Sequence, residues 1–194
     1  MLTLAFDTTA NSVSVALLQG ETVVAQNEQV MERGQGEALI PMIQELMKNA
    51  GYQMSSVEQI AVSVGPGSFT GVRVGLSAAR GMGLALSVPV IGVSMLTAAA
   101  FRTTGQVVAV IDTKRGDFYT QTFSDGDPLE KPCIRTAEQI EALSDFKVLG
   151  SGASLVRKSH LDNKLMPAVA VGLCALSSPL PPEPLYLREA DVSC

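Results

Sequence analysis

A β-branched run, Ile60-Ala61-Val62-Ser63-Val64, gives way to Gly65-Pro66-Gly67-Ser68-Phe69-Thr70-Gly71-Val72-Arg73-Val74-Gly75, which opens a stretch rich in small residues. The order strand, glycine-rich turn, helix brings backbone N–H groups to a point where an anion or another backbone segment can approach closely. It also sets an α/β pattern on the chain around it. The turn is not a Walker A loop, because no Lys-Ser or Lys-Thr follows the glycines. It is not the dinucleotide fingerprint either, since Gly65, Gly67 and Gly71 fall one residue out of that register. Two readings stay open: a phosphate-type contact, or a tight turn that serves only packing.

Outward from the turn, Leu2 to Asp7 and Ser12 to Leu18 read as strands joined by Thr8-Thr9-Ala10-Asn11, and Glu21–Glu28 reads as a third antiparallel strand. Leu39, Ile43, Leu46, Met47 and Ala50 recur at helical spacing, with Pro41 expected in the first turn and Gly51 as the C-cap. After the helix Thr70 to Leu86 come a strand over Val88–Val93 and a short helix from Ser94 to Phe101. A second half restarts with Val107 to Ile111 and a hairpin partner at Asp117–Phe123; then come the loop Asp125-Gly126-Asp127-Pro128, a helix at Ala137–Leu143 and a strand at Phe146–Leu149. The tail Pro179 to Pro184 predicts an extended segment that packs Leu185-Tyr186-Leu187 back onto a lobe. Asp7-Thr8-Thr9 and Asp112-Thr113-Lys114 occupy matching places, each closing the first strand of its half. The expected division is residues 1–103 as one α/β lobe and 104–194 as a smaller second one.

At 194 residues with 46% hydrophobic and 17% charged residues, the chain has the composition of a folded protein with a substantial core. A net charge of −5 gives no global field to draw nucleic acid, so contact with RNA would be indirect and depend on a basic partner. Cys133, Cys174 and Cys194 are odd in number and scattered, which argues against a disulfide framework or a zinc cage and fits a reducing compartment. No signal peptide or membrane span is expected, because Arg80 and Pro89 break the apolar run from Ala78 to Val93; the reading is a cytoplasmic protein.

The helix after the turn carries small residues at Gly71, Gly75, Ala79 and Gly83, spaced by four, with a second row at Ser77, Gly81 and Ala85. Each glycine inside a helix costs about 1 kcal/mol against alanine, so a close neighbour must offset several of them. That neighbour is either the chain itself or a second subunit. Arg73 and Arg80 share a face of the same helix.

His160 is the sole histidine, so a metal site of two histidines and a carboxylate cannot be assembled. No G-x-S-x-G elbow exists, and nothing close in sequence can act as base for Ser68, which argues against a serine-hydrolase reading. Asp7 with Thr8 and Thr9 fits either a Mg²⁺ or phosphate contact or a turn that bonds its own backbone.

Three segments in this order carry a resemblance: Leu4-Ala5-Phe6-Asp7-Thr8-Thr9, the Gly65–Gly75 motif, and Pro89-Val90-Ile91-Gly92-Val93-Ser94. They resemble the TsaB (YeaZ) family, non-catalytic paralogues of the bacterial threonylcarbamoyltransferase TsaD. The likeness is strong over residues 1–115 and looser beyond, where Ile111–Tyr119 and Pro184–Arg188 still look family-like. It implies the actin-like ATPase and sugar-kinase fold, two α/β lobes with mixed central sheets. It also implies pairing with a TsaD-like catalytic subunit and, with a TsaE-like ATPase, formation of N6-threonylcarbamoyladenosine at position 37 of tRNAs that read ANN codons. In the catalytic paralogue two histidines on the first helix and an aspartate hold the metal. The matching helix start here reads Glu32-Arg33-Gly34-Gln35-Gly36-Glu37-Ala38.

The resemblance places the partner interface on the first two helices, with Leu39, Met42, Leu46, Gly71, Arg73, Gly75, Ala79, Met82 and Gly83 as its expected residues. The same face would let the chain pair with itself when the partner is absent. No catalytic residue, metal or cofactor is expected; Asp7, Thr8 and Asp112 are candidates for a vestigial nucleotide cleft. The rival reading is a small kinase or ATPase using Asp7 and Asp112 around Mg²⁺-nucleotide. It lacks phosphate-binding glycines in the second lobe beyond Gly150-Ser151-Gly152. The absence of a workable nucleophile–base pair or metal triad argues against a peptidase. The segment from Asn163 to Pro179 looks short, as if a helix and its loop were trimmed.

Overall fold

A computed structural model of the chain describes residues 1–161 and 165–188. It divides into two units: Met1–Met95 with Leu165–Leu185, and residues 96–161 with 186–188. The chain thus returns to its first unit late in sequence, where the division at 103/104 assigns everything to the second lobe.

The first unit is built on a mixed sheet. Strands β1 (Leu2–Asp7), β2 (Ser12–Gln19) and β3 (Thr22–Val30) form an antiparallel meander. β4 (Gln59–Gly65) and β5 (Val90–Ser94) add in parallel on the other side of β1, giving the order β3-β2-β1-β4-β5. Helices α1 (Gln35–Ala50) and α2 (Phe69–Leu86) cover one face, where Leu4, Phe6, Leu17, Leu39, Ile43, Val62, Val72 and Leu76 form the core. The alternate residues of β1 and β2 face the other way and meet a later helix, α5 (Pro167–Ser177). There the Ala168 N–H donates to Ser14 Oγ at 3.0 Å, and Gly172 leaves room for Leu18 and Ala5.

Helix α1 begins a full turn before the expected Leu39, so Pro41 lies inside it rather than in its first turn. The Pro41 ring faces solvent, and the amide it lacks leaves one intrahelical bond unmade. Gly51 closes α1 at φ 75°, a left-handed C-cap as expected, with the Tyr52 N–H donating to Met47 O at 3.0 Å. Helix α5 was not expected, and the segment thought trimmed contains it. Its residues are almost all apolar and buried, so no polar face marks a helical period. Asn163, in that segment, lies outside the described residues, as does Cys194.

The second unit carries the short helix α3 (Met95–Ala100, of which residues 96–100 fall in this unit) and a hairpin of β6 (Gln106–Asp112) and β7 (Phe118–Ser124). Two short strands, β8 (Asp127–Pro128) and β9 (Cys133–Arg135), pair with β7, and β10 (Lys147–Leu149) lies parallel to β6. α4 (Ala137–Glu141) opens with a capping box between Thr136 and Gln139. Val108, Val110, Phe118, Ile140 and Val148 fill one side of this sheet; Leu96, Val107, Phe123 and Leu149 fill the other. Asp127-Pro128, expected as loop, is a two-residue strand paired to Phe123 and Ser124.

Candidate partner-docking face and vestigial cleft residues

The glycine-rich turn closes on the β1–β2 connection, not on open space. The Ser68 N–H donates to Thr9 O at 2.8 Å, and a Cβ on Gly67 would stand 2.7 Å from that same oxygen. Thr8 Oγ1 donates to Gly71 O at 2.7 Å. A Cβ on Gly71 would overlap Thr8 O, and one on Gly75 would lie 2.8 Å from Thr8 Oγ1. Further along α2, Gly83 makes room for Val90 and Val88. The row Gly71, Gly75, Ala79 and Gly83 is therefore consumed by the chain's own sheet and turns, and all four residues are buried.

Leu39, Met42 and Leu46 are also core residues, 1%, 5% and 4% exposed, so seven of the nine expected interface positions are packed within the chain itself. Of the expected set, Arg73 is exposed and Met82 half-buried. The physical reason is that a helix lying over a β-turn needs the same pared side chains as a helix lying over another helix. Spacing alone does not separate the two.

The outward side of α2 holds different residues. Arg73, Ser77, Gly81 and Leu84 point to solvent, and nothing lies within 4 Å of a Cβ built on Gly81. Leu84 is 84% exposed, more than any other large hydrophobic side chain among the described residues. The Arg73 guanidinium stacks over the Phe69 ring at 3.9 Å. Arg80 donates from Nε to Pro182 O at 3.0 Å, so the proline-rich segment straps the end of α2. That segment continues through a Gly92–Leu180 bridge to Leu185, whose N–H donates to Val64 O at 2.8 Å. Of the segment expected to pack onto a lobe, Leu185 packs on the core of the first unit, whereas Tyr186 and Leu187 belong to the second. The second small row (Ser77, Gly81, Ala85) was the sequence signal for the outward face; Leu84 gave none, since one leucine in a helix is ordinary.

The cleft candidates fall in both units. Asp7 is fully buried, and its Oδ1 accepts from the Thr9 N–H at 3.0 Å, from Thr9 Oγ1 at 2.7 Å and from Ser63 Oγ. Burial pushes its carboxyl above the ordinary range, against the hydrogen bonds of Ser63 and Thr9, which hold it down. Oδ2 has no hydrogen-bond partner. Asp112 forms the same kind of turn in the second unit: Oδ1 accepts from the Lys114 N–H at 2.8 Å, and Oδ2 meets Lys114 Nζ at 2.9 Å. Partial burial raises the Asp112 carboxyl, but the Lys114 bonds and charge outweigh it and leave it below its ordinary value. Thus the Asp7 and Asp112 turns both bond their own backbone. Gly150 and Gly152 do not form a phosphate cradle: a Cβ on Gly150 would meet Val110 O at 2.5 Å, and one on Gly152 would meet Phe118 at 2.8 Å.

Among the described residues no group of three His, Cys, Asp or Glu side chains is placed to hold a metal ion. No helix among the described residues is long and apolar enough to cross a membrane. The buried Cys174 thiol is pushed up to about 12 by desolvation, which leaves it protonated and unreactive.

The family model described as TsaD, tRNA N6-adenosine threonylcarbamoyltransferase, matches residues 24–151. The chain belongs to the TsaD family, on its TsaB (YeaZ) side. An uncharacterized protein of Mycobacterium tuberculosis is 30% identical over 97% of this chain and 92% of its own length. The tRNA threonylcarbamoyladenosine biosynthesis protein TsaB of Escherichia coli is 38% identical over 61% of this chain, a match that spans 53% of that protein. Among solved structures, YeaZ from Pseudomonas aeruginosa superposes with a TM-score of 0.77 at 27% identity, covering 96% of this chain and 99% of that one. The fold is the actin-like α/β fold that the sequence led us to expect.

Proposed function

We propose that this chain is a non-catalytic subunit of the machinery that forms threonylcarbamoyladenosine in tRNA, and that it docks on a TsaD-type catalytic subunit through the outward face of α2 and the adjoining side of α1. Its likeness to proteins named TsaB supports the pathway. The observation that carries the docking role is the outward α2 face, where Leu84, Gly81 and Ser77 present apolar and pared-down surface to solvent in a protein with ample core elsewhere. Ile40 on α1, 41% exposed, adds apolar area to the same pair of helices. In this reading the reaction, its metal and most tRNA contacts belong to partners. A TsaE-like ATPase joins the assembly, self-pairing occurs only when the catalytic subunit is absent, and the setting is the cytoplasm.

Replacing Gly81 by leucine tests the reading without touching the core, since open space surrounds that position. Size-exclusion of the chain mixed with the TsaD-type subunit of the same organism should give co-elution for the natural chain and separate peaks for Gly81→Leu. Co-elution that survives the substitution contradicts docking on this face.

A further inference from the structure

The sheet of the first unit has two edges of opposite character. β3 is polar along its middle, Gln26-Asn27-Glu28-Gln29, whereas β5, Val90-Ile91-Gly92-Val93-Ser94, is rich in β-branched residues and carries no charge. An uncharged edge of that composition is a template on which another chain can add a strand. The proline-rich segment lies along it. Leu180 and Gly92 exchange both backbone hydrogen bonds, the Leu180 N–H donating to Gly92 O and the Gly92 N–H to Leu180 O, each at 2.8 Å. Glycine permits this approach, since a Cβ on Gly92 would overlap the Pro181 carbonyl.

Four of the seven residues from Pro179 to Leu185 are proline, which leaves three backbone N–H groups in the segment. All three are committed inside the first unit. Leu180 donates to Gly92 O, Glu183 to Pro181 O and Leu185 to Val64 O, each at 2.8 Å. Arg80 Nε fastens the middle of the segment at Pro182 O, at 3.0 Å. A covering segment of ordinary residues would close β5 only by presenting a fresh row of N–H groups to solvent. This one covers the edge and has no backbone donor to spare.

We propose that residues 179–185 are an edge guard: they keep β5 from pairing with the β5 strand of a second copy of this chain, and their release lets two copies join edge to edge. A second copy is the occupant because it brings the same uncharged strand, with a Gly92 amide and carbonyl ready to pair once its own guard is off. The guard does not depend on docking through α2.

The test unfastens the segment in the full-length chain. Leu180→Pro removes the N–H that meets Gly92 O, and Arg80→Met removes the side-chain fastening while keeping an apolar stem. In this double variant at high dilution, exchange of the Gly92 amide should quicken about tenfold, as the loss of two hydrogen bonds allows. At higher concentration, sedimentation should show association beyond that of the natural chain, and the Gly92 amide should regain protection as the copies pair. Self-pairing through helices would leave that amide exchanging, so its reprotection identifies strand pairing. Leu180→Ala, which keeps both backbone bonds, should match the natural chain in both measurements. An unchanged Gly92 exchange rate overturns the guard, as does a folded double variant that sediments like the natural chain or associates without reprotecting Gly92. If the double variant does not fold, Pro179→Ala with Pro181→Ala decides, because it keeps every fastening and restores two donors. Association above the natural level then supports the guard, and association at the natural level overturns it.

Discussion

Two glycines on one helix have opposite meanings. Gly75 faces Thr8 Oγ1, whose hydroxyl is already committed to Gly71 O, so a methyl group there must displace a buried, hydrogen-bonded side chain. Gly81, six residues later, faces nothing. Gly75→Ala is expected to destabilise the chain by about 1–3 kcal/mol, the range for overpacking a close-packed site. Gly81→Ala should stabilise it by up to about 1 kcal/mol through helix propensity. Urea titrations of the two variants check both signs. Asp7 supplies a second prediction at this scale. Its folded-state pKa lies above the ordinary 3.8, so between those two values the folded chain holds the proton more tightly than the unfolded one. Stability contributed by that group is full below 3.8 and falls as pH rises through the raised pKa. Asp7→Asn keeps an oxygen to accept from Thr9 and Ser63 and removes the charge. Its unfolding free energy should lack that decline, which a series of denaturant melts across the acid range will show.

The elements differ in how much of themselves the sequence displays. β1 was legible to the residue, and α2 to within one residue of its observed start, although Ser68, whose side chain caps α2 by accepting from the Gly71 N–H, was not singled out. α1 was read four residues short: its first turn is Gln35-Gly36-Glu37-Ala38, where glycine and polar residues hide the period. α5 left no periodic signal because neither of its sides faces water enough to be polar. β9 escaped notice for another reason, being held by side chains. Arg135 donates to Glu130 Oε1 and Oε2 at 2.8 and 2.7 Å and to Thr120 Oγ1 at 2.9 Å, while Glu130 also accepts from Thr122. Arg135, followed by Thr122, holds the Glu130 carboxyl below its ordinary 4.5 against partial burial. That stabilisation is present above 4.5 and is lost as pH falls through the lowered value. Arg135→Ala should therefore destabilise the second unit at neutral pH, with the gap to the natural chain narrowing in acid. Amide exchange of β7 and β9 measures this unit separately.

For the whole molecule, the order of elements and the matched aspartates led to an expectation of two α/β units, and Asp7 and Asp112 each accept from the backbone N–H two residues on. The late return of residues 165–185 to the first unit was not legible, because nothing in a helix's own sequence says which sheet it will cover. The same holds for the candidate interface. A row of small residues says that something lies close, and only the fold shows that Thr8, Thr9 and Val90 already do. What remains for a partner is the other side of α2. That face is the centre of the functional account: a chain whose contribution to tRNA modification is a surface. The most direct measurement is the threonylcarbamoylation rate of the TsaD-type subunit on tRNA, with the remaining factors supplied, as this chain is titrated in. The account predicts saturable stimulation by the natural chain and by Gly81→Ala, and its loss with Gly81→Leu although that variant is at least as stable as the natural chain. Equal stimulation by Gly81→Leu, or none by the natural chain, would contradict it.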